Sequence, residues 1–429
     1  SAAPPAGMRD FLPADTALRD WATGVIVRTY EQFGFTRIET PALENIALLR
    51  GGEGGENLKL IFEILKRGEK LERELTAGNP RREDLADLGL RFDLTVPLVR
   101  FYAHNQSTLP NPLKSIQIGS VWRAESPQQG RYRQFTQCDI DMFGVKSEVC
   151  EMELLQATAQ ALLELGFKDF TIRINDRRIL SELASNLGFE SSKVDNMFIT
   201  LDKLDKVGVK GVEAELSRHE HNRDAIDRLL AILQQLESAG PDYKSVRACL
   251  PADLNDDGAF DRLERIIDAI TLISNGMFSA KFDPTLVRGM GYYTGPIFEI
   301  SQPGYSSSIA GGGRYDKMVG KFAGRDTPAC GFSIGFERII SILQDKNFQP
   351  PGQAEKIALI FDPDRDTLKD VLAVSQRLRH RGLIVSMQPR KKDMRKQLDN
   401  LVAQGFTSYA SFRQGNDQVE IKELNQSPL

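Results

Sequence analysis

The sequence predicts an α+β protein: an antiparallel sheet with attached helices, split by a helical insertion and followed by a small, separate α/β domain. Three observations predict it. Strand-like segments lie on both sides of a polar, helix-patterned block at about 177–275, so the flanking strands fall into one sheet interrupted by that block. The uncharged run Ser115–Trp122 (SIQIGSVW) and the run Trp122–Asp141 (WRAESPQQGRYRQFTQCDID) read as an antiparallel hairpin around a short Pro/Gln/Gly loop. Beyond a Pro-Pro-Gly linker at 350–352, KIALIF, a helix over about 366–381, LIVSM, a helix over about 393–404 and TSYASF alternate strand with helix.

From the start of the chain, Leu18, Trp21, Val25, Ile26 and Phe33 recur at helical spacing, with Asp15 as candidate N-cap and Gly34 as stop. A short strand follows and ends at Pro41. Residues 66–88 are charge-rich and read as an exposed excursion before a strand at LRFDLTVPLVRF, 90–101. After the hairpin an amphipathic helix spans about Val149–Leu165, ended by Gly166, and FTIRIN alternates as a strand. VRGMGYYTGPIFEI, SSSIAGGGRYD and ACGFSI restore strand character, and Phe336 onward is helical.

With 429 residues the chain has room for two or three domains, and its 41% hydrophobic and 27% charged content is ordinary for a soluble globular protein. No apolar run approaches the ~20 residues of a membrane span, and SAAPPAGMRDFLP lacks a signal-peptide pattern, so no membrane and a cytoplasmic location are expected. Cys138, Cys150, Cys249 and Cys330 lack CxxC spacing, which argues against a zinc site and fits a reducing compartment. The four histidines, His104, His219, His221 and His380, sit in no catalytic motif, which argues against histidine-based triad chemistry. In SRHEHNRD, His219 and His221 read as a solvated helical face. No GxGxxG follows a strand, which argues against a dinucleotide-binding enzyme. The net charge of -4 gives no global pull toward nucleic acid. A local patch is available in Arg377, Arg379, Arg381, Arg390, Lys391, Lys392, Arg395 and Lys396, which suits either a solvated face or phosphate contacts.

The chemistry gathers on the hairpin. Gln137, Asp139 and Asp141 are spaced by two, so they share one side of a strand. A solvent-facing strand would show the same alternation. Arg123, Glu125, Arg131 and Arg133 crowd the same hairpin, however, and guanidinium forks suit an anion such as a phosphate or a carboxylate.

RFDLTVP (91–97), WRAESPQQGRYRQF (122–135), VRGMGYYTG (287–295), AGGGRYD (310–316) and GFSIGFER (331–338) together resemble, in order and spacing, the class II histidyl-tRNA synthetases. QCDID, NDRRIL and LDKLDKV look like the eukaryote-type branch of that family. The resemblance implies a class II antiparallel catalytic sheet in residues 1–345, with the helical insertion at about 177–275, and an α/β anticodon-binding domain in 353–429. It implies histidine, ATP, Mg²⁺ and histidine tRNA as ligands, and a homodimer formed through the first helix and the strand to Pro41. Trp21 and Val25 could equally be plain core.

Residue roles follow from the same resemblance. Arg123 and Arg288 match the catalytic arginines. Asp93, Thr95, Gln137, Asp141, Tyr292, Tyr293 and Tyr315 match the histidine pocket, which Arg123 and Arg288 also touch. Arg123, Glu125, Arg131, Phe135 and Arg338 match the ATP site, with Phe135 under the adenine and Arg338 against the terminal phosphates. Ser126, Gln128 and Gln129 belong to the loop that meets the tRNA acceptor end. Two positions depart from the family pattern: Gly291 replaces a common acidic residue before the tyrosine pair, and Ser126 replaces an arginine of many bacterial members. The main rival is a non-enzymatic synthetase-like histidine sensor or regulatory paralogue. Such proteins typically lose the ATP-site arginines, whereas Arg123, Arg288 and Arg338 are all present here.

Overall fold

A computed structural model of the chain describes residues 2–52, 59–126, 132–240, 242–254, 258–288, 291–352, 355–415 and 419–424. These fall into two compact units, Ser1–Phe348 and Gln349–Leu429.

The first unit opens with the helix Pro13–Gln32. Its first position is proline, whose missing N–H is an orphan there in any case. Leu12, not Asp15, is the N-cap, and Asp15 lies in the first turn, where its charge meets the positive end of the helix dipole. Gly34, with φ of +78°, ends the helix as expected. Strand β1, Thr36–Arg37, follows. β2 (Leu43–Asn45), β3 (Glu63–Leu65) and β4 (Ala86–Leu90) then form a separate antiparallel sheet in the order β2-β4-β3. The charge-rich excursion contains a helix, Glu69–Thr76, that buries none of its residues.

LRFDLTVPLVRF is not a strand. Only Leu90 belongs to β4, and Thr95–Asn105 is a helix. Pro97 is tolerated because it falls in the first turn, and the Asp93 carboxylate accepts the Val96 N–H at 3.2 Å. Val96, Val99 and Tyr102 recur at helical spacing and are buried.

The hairpin forms as expected. β5 (Leu113–Trp122) runs antiparallel to β6 (Gln134–Phe143), with Gly119 opposite Gln137, Gln117 opposite Asp139 and Ser115 opposite Asp141. β7 (Thr171–Asp176), β8 (Ser279–Phe282), β9 (Pro296–Ser301), β10 (Ala310–Arg314) and β11 (Ala329–Ile334) complete an eight-stranded sheet. Its order is β1-β5-β6-β11-β10-β9-β7-β8. The sheet is antiparallel across its centre and parallel only in the edge pairs β1–β5 and β7–β8. From β6, Cys138, Ile140 and Met142 enter one core with the buried faces of the helices Pro13–Gln32 and Val149–Glu164. Between Arg177 and Ser274 the described elements are helical. His221, expected on a solvated face, is buried there, with Nε2 3.0 Å from Asn196 Oδ1 and its ring edge-on to Phe189.

The second unit stacks two helices, Leu368–His380 and Met394–Ala403, on opposite faces of a sheet. The strands are β12 (Lys356–Phe361), β13 (Ile384–Pro389), β14 (Ser408–Ser411) and β15 (Ile421–Glu423), in the order β13-β12-β14-β15. The first three are mutually parallel, so the helix Leu368–His380 ends beside the start of β13. The basic residues that cluster in sequence are therefore divided in space. Arg377, Arg379 and Arg381 lie near the amino end of β13, and Arg390 to Lys396 lie beyond its carboxyl end, a strand length of roughly 20 Å away.

One buried ion pair ties β10 to the helix beneath the sheet. Arg314 donates from Nε to Glu151 Oε1 at 2.6 Å and from Nη2 to Oε2 at 2.8 Å, and its remaining donors reach Asp316 and the carbonyls of Val145 and Ser147. Removing one member of a buried pair strands the other charge. Glu151→Ala should therefore lower the stability of this unit by roughly 3–5 kcal/mol, read from its urea midpoint. A loss under about 1 kcal/mol would mean that the carbonyl partners suffice for Arg314.

Candidate active site

The upper face of β6, β10 and β11 carries a cavity of about 490 Å³. The structure brings to it Asp93, Thr95, Arg123, Glu125, Phe135, Gln137, Asp141, Arg288, Tyr292, Tyr293, Tyr315 and Arg338. Ser126 is exposed and is not among the lining residues, while Gln128, Gln129 and Arg131 lie outside the described residues.

The acidic end is built on glycine. A Cβ at Gly331, opposite Asp141, would fall on the Asp141 carboxylate, and one at Gly311 would fall on the Arg288 guanidinium. Bare backbone on β10 and β11 thus leaves room for long side chains to lie over the sheet. Tyr315 donates to Asp141 Oδ1 at 2.5 Å, and the ring of Tyr292 meets those of Tyr293 and Tyr315 at 4.7 and 5.9 Å. Arg288 Nη1 lies 3.4 Å from Glu299 Oε2.

The other end gathers guanidinium groups and aromatic rings. Arg123 donates from Nε to the Phe92 carbonyl at 3.1 Å, and its guanidinium lies 5.0 Å from the centre of the Phe135 ring. Arg338, in the first turn of the helix Phe336–Asp345, donates to the Ser308 carbonyl. Beside it Glu337 accepts from both terminal nitrogens of Arg19, from Arg9 at 2.6 Å and from the Thr136 N–H at 3.0 Å. Arg9 also lies 3.5 Å over the Tyr132 ring, and the Gly7 carbonyl accepts the Arg133 N–H. Sequence reasoning missed Arg9, Arg19 and Glu337 because the partners stand more than 300 positions apart. It also gave the glycine run no role, although three successive glycines in a strand are an unusual signal.

Burial perturbs the acids of the cavity. It pushes Asp93 up to about 6, against the Val96 N–H bond and Arg123. It pushes Asp139 up to about 7, helped by Asp93 and opposed by Ser333, Gln137 and Arg123. Asp141 is held well above the usual carboxylate range by burial and by Asp139, against the Tyr315 hydroxyl. Burial opposes the charge of Arg288, but Tyr293, Glu299 and Tyr292 outweigh it and hold the guanidinium protonated. Four buried atoms of this cavity, Asp93 Oδ2, Gln137 Oε1, Asp139 Oδ1 and Arg288 Nε, have no hydrogen bond of normal geometry among the described residues. Each such orphan costs roughly 1–3 kcal/mol, so a ligand is the natural partner. Buried acids beside fixed guanidinium groups suit a small zwitterion placed against a second anion.

The architecture is that of a class II synthetase: an antiparallel sheet with attached helices carrying the cavity, and a separate α/β unit. Known proteins agree. The family profile described as Histidyl-tRNA synthetase matches residues 7–339. The histidine–tRNA ligase of Leifsonia xyli is 46% identical over 416 residues, covering 95% of this chain and 94% of that protein. The probable histidine–tRNA ligase of Tropheryma whipplei is 43% identical over 420 residues, covering 95% and 94%. The crystal structure of histidyl-tRNA synthetase from Nostoc sp. PCC 7120 superposes with a TM-score of 0.77 at 27% identity, covering 99% of this chain and 95% of that one. The chain belongs to the histidyl-tRNA synthetase family. These relatives are bacterial.

The raised acids have a consequence for stability. Asp139 titrates at about 7 in the folded chain and near 4 unfolded, so the folded state binds more protons between those values. Its contribution to stability therefore falls as pH rises from about 4 to about 7, and the full penalty remains above that. Asp139→Asn should raise the melting temperature of the ligand-free protein at pH 8, and the gain should shrink toward zero near pH 4. An unchanged or lowered midpoint at pH 8 would contradict the buried, repelled state of this carboxyl.

Proposed function

We infer that the chain is a histidine–tRNA ligase, which joins histidine to ATP as histidyl-adenylate and then transfers it to histidine tRNA. The observation that carries this reading is the cavity itself, where buried acids with unpartnered oxygens stand beside Arg123 and Arg288 in a member of this family. A non-enzymatic regulatory role finds no support, since Arg123, Arg288 and Arg338 all reach the cavity.

In the proposed mechanism, Asp141 and Tyr315 bind the imidazole. That ring offers one donor and one acceptor, so a site that pairs both rejects isosteres lacking them. Asp93, Thr95 and Gln137 face the α-amino end, and Arg123 and Arg288 hold the carboxylate against the α-phosphate. Phe135 stacks under the adenine, Glu125 contacts the nucleotide, and Arg338 meets the terminal phosphates. ATP enters as its magnesium complex. A carboxylate oxygen attacks the α-phosphorus, the bond to pyrophosphate breaks, and Arg288 answers the charge that develops there. No general base is needed, because the attacking carboxylate is already ionised at pH 7. A terminal ribose hydroxyl of the tRNA then attacks the adenylate carbonyl and releases AMP.

The expected homodimer belongs to the same proposal. Val25 is buried in the unit's own core, and the half-buried Trp21 ring has its centre 4.7 Å from that of Phe348. Exposed apolar side chains suited to a second copy stand instead in the three-stranded sheet, at Leu43 and Leu65. For the tRNA, the second unit offers Arg390, Lys391, Lys392, Arg395 and Lys396 at the carboxyl end of its parallel strands, the edge where open α/β sheets bind ligands.

Two experiments test the reading. Pyrophosphate exchange into ATP should depend on histidine among the twenty amino acids, and Arg288→Ala should cut its rate by roughly 10²-fold or more, far more than it weakens histidine binding. Equal losses in rate and binding would remove the transition-state role. Separately, Lys391→Glu with Lys392→Glu should raise the KM for tRNA, more so at low salt, and leave pyrophosphate exchange intact. The pair Arg377→Glu with Arg381→Glu should do less. The reverse order would place the tRNA at the other edge of the sheet.

A further inference from the structure

Asp139 has no role in the scheme above, yet it lines the cavity, opposite Gln117 on β5 and Ser333 on β11. It is 4% exposed. Its Oδ2 accepts a long bond from Gln137 Nε2 at 3.3 Å, and its Oδ1 accepts no bond of normal geometry among the described residues, the nearby Ser333 hydroxyl favouring the charge without closing such a bond. An acid kept for structure has its oxygens satisfied by backbone or side-chain donors, as Asp93 Oδ1 is by the Val96 N–H.

The neighbours sharpen the point. Gln137 Oε1 and Asp93 Oδ2 are also buried in this cavity and also unpartnered. Asp93 is close enough to Asp139 for their charges to interact, and Gln137 touches it directly. This part of the cavity therefore presents three acceptors that no donor among the described residues meets at normal geometry: one oxygen each from Asp93, Gln137 and Asp139. A primary ammonium group supplies three N–H donors and one positive charge, which matches that set in number and sign. Asp141 stands apart, because Tyr315 already donates to it.

We propose that Asp139 binds substrate: its free carboxylate oxygen takes one N–H of the amino acid's α-ammonium, and Asp93 and Gln137 take the others. The proposal rests on the histidine-activating reading and adds a residue to it.

The test compares three compounds on the full chain by calorimetry: histidine, histidinol, which keeps the ammonium and lacks the carboxylate, and 3-(imidazol-4-yl)propionate, which lacks the ammonium. Asp139→Asn keeps the side-chain shape and should weaken histidine and histidinol by roughly ten- to hundredfold, while the propionate stays within about twofold of wild type. Propionate binding also reports that the variant is folded. If the Asn variant does not fold, Asp139→Ser is measured in the same way. A loss shared equally by all three compounds would assign Asp139 a structural role and overturn the proposal, as would unchanged histidinol binding. Wild-type protein that binds none of the three would instead remove the histidine reading, and the proposal with it.

Discussion

Strand β6 has to be apolar on one face and acidic on the other while remaining buried on both. Below the sheet, Cys138, Ile140 and Met142 pack among helices. Above it, Asp139 and Asp141 lie in a cavity that withholds most of the water a carboxylate needs. Desolvation and mutual repulsion make such a face unfavourable in isolation. The surrounding structure responds group by group: a hydroxyl from Tyr315, guanidinium charge from Arg123, and an N–H from the helix that starts beside Asp93. The response is incomplete, and the remaining unpartnered atoms mark where a ligand belongs.

Much of this was legible in the sequence, because period-two alternation in β6 survives any tertiary context. Spacing alone placed Gln137, Asp139 and Asp141 on one side, and the hairpin followed from two strand-like runs around a turn. LRFDLTVPLVRF was misread because its apolar residues suit both a strand and the first turns of a buried helix. Pro97 decided between them only once its place in the first turn was known. The solvated reading of His221 failed for a related reason: local charge says nothing about a second helix packed across it.

Other features could not be read from local pattern at all. The pairing of Glu337 with Arg9 and Arg19 joins the first and last parts of the unit, and no spacing rule reaches so far. The eight basic residues of the second unit look contiguous in sequence. Parallel topology separates them, because a helix returning along a strand delivers its carboxyl end to the strand's start. The value of Gly311 and Gly331 is likewise invisible until the side chains crossing them are known.

The pairing pattern also constrains the order in which the chain can assemble during synthesis. The β5–β6 hairpin is complete by residue 143, with Asp141 opposite Ser115, but Asp141 meets its hydroxyl donor only at Tyr315 and its partner on the other side of the strand only at Gly331. Glu151 waits similarly for Arg314. A nascent chain therefore exposes an acidic strand edge while the whole helical insertion is being made. Closure of the sheet is a late, long-range event, of the kind that folds slowly and leaves strand edges open to wrong partners. The charges on β6, inconvenient in the finished fold, keep that waiting edge soluble.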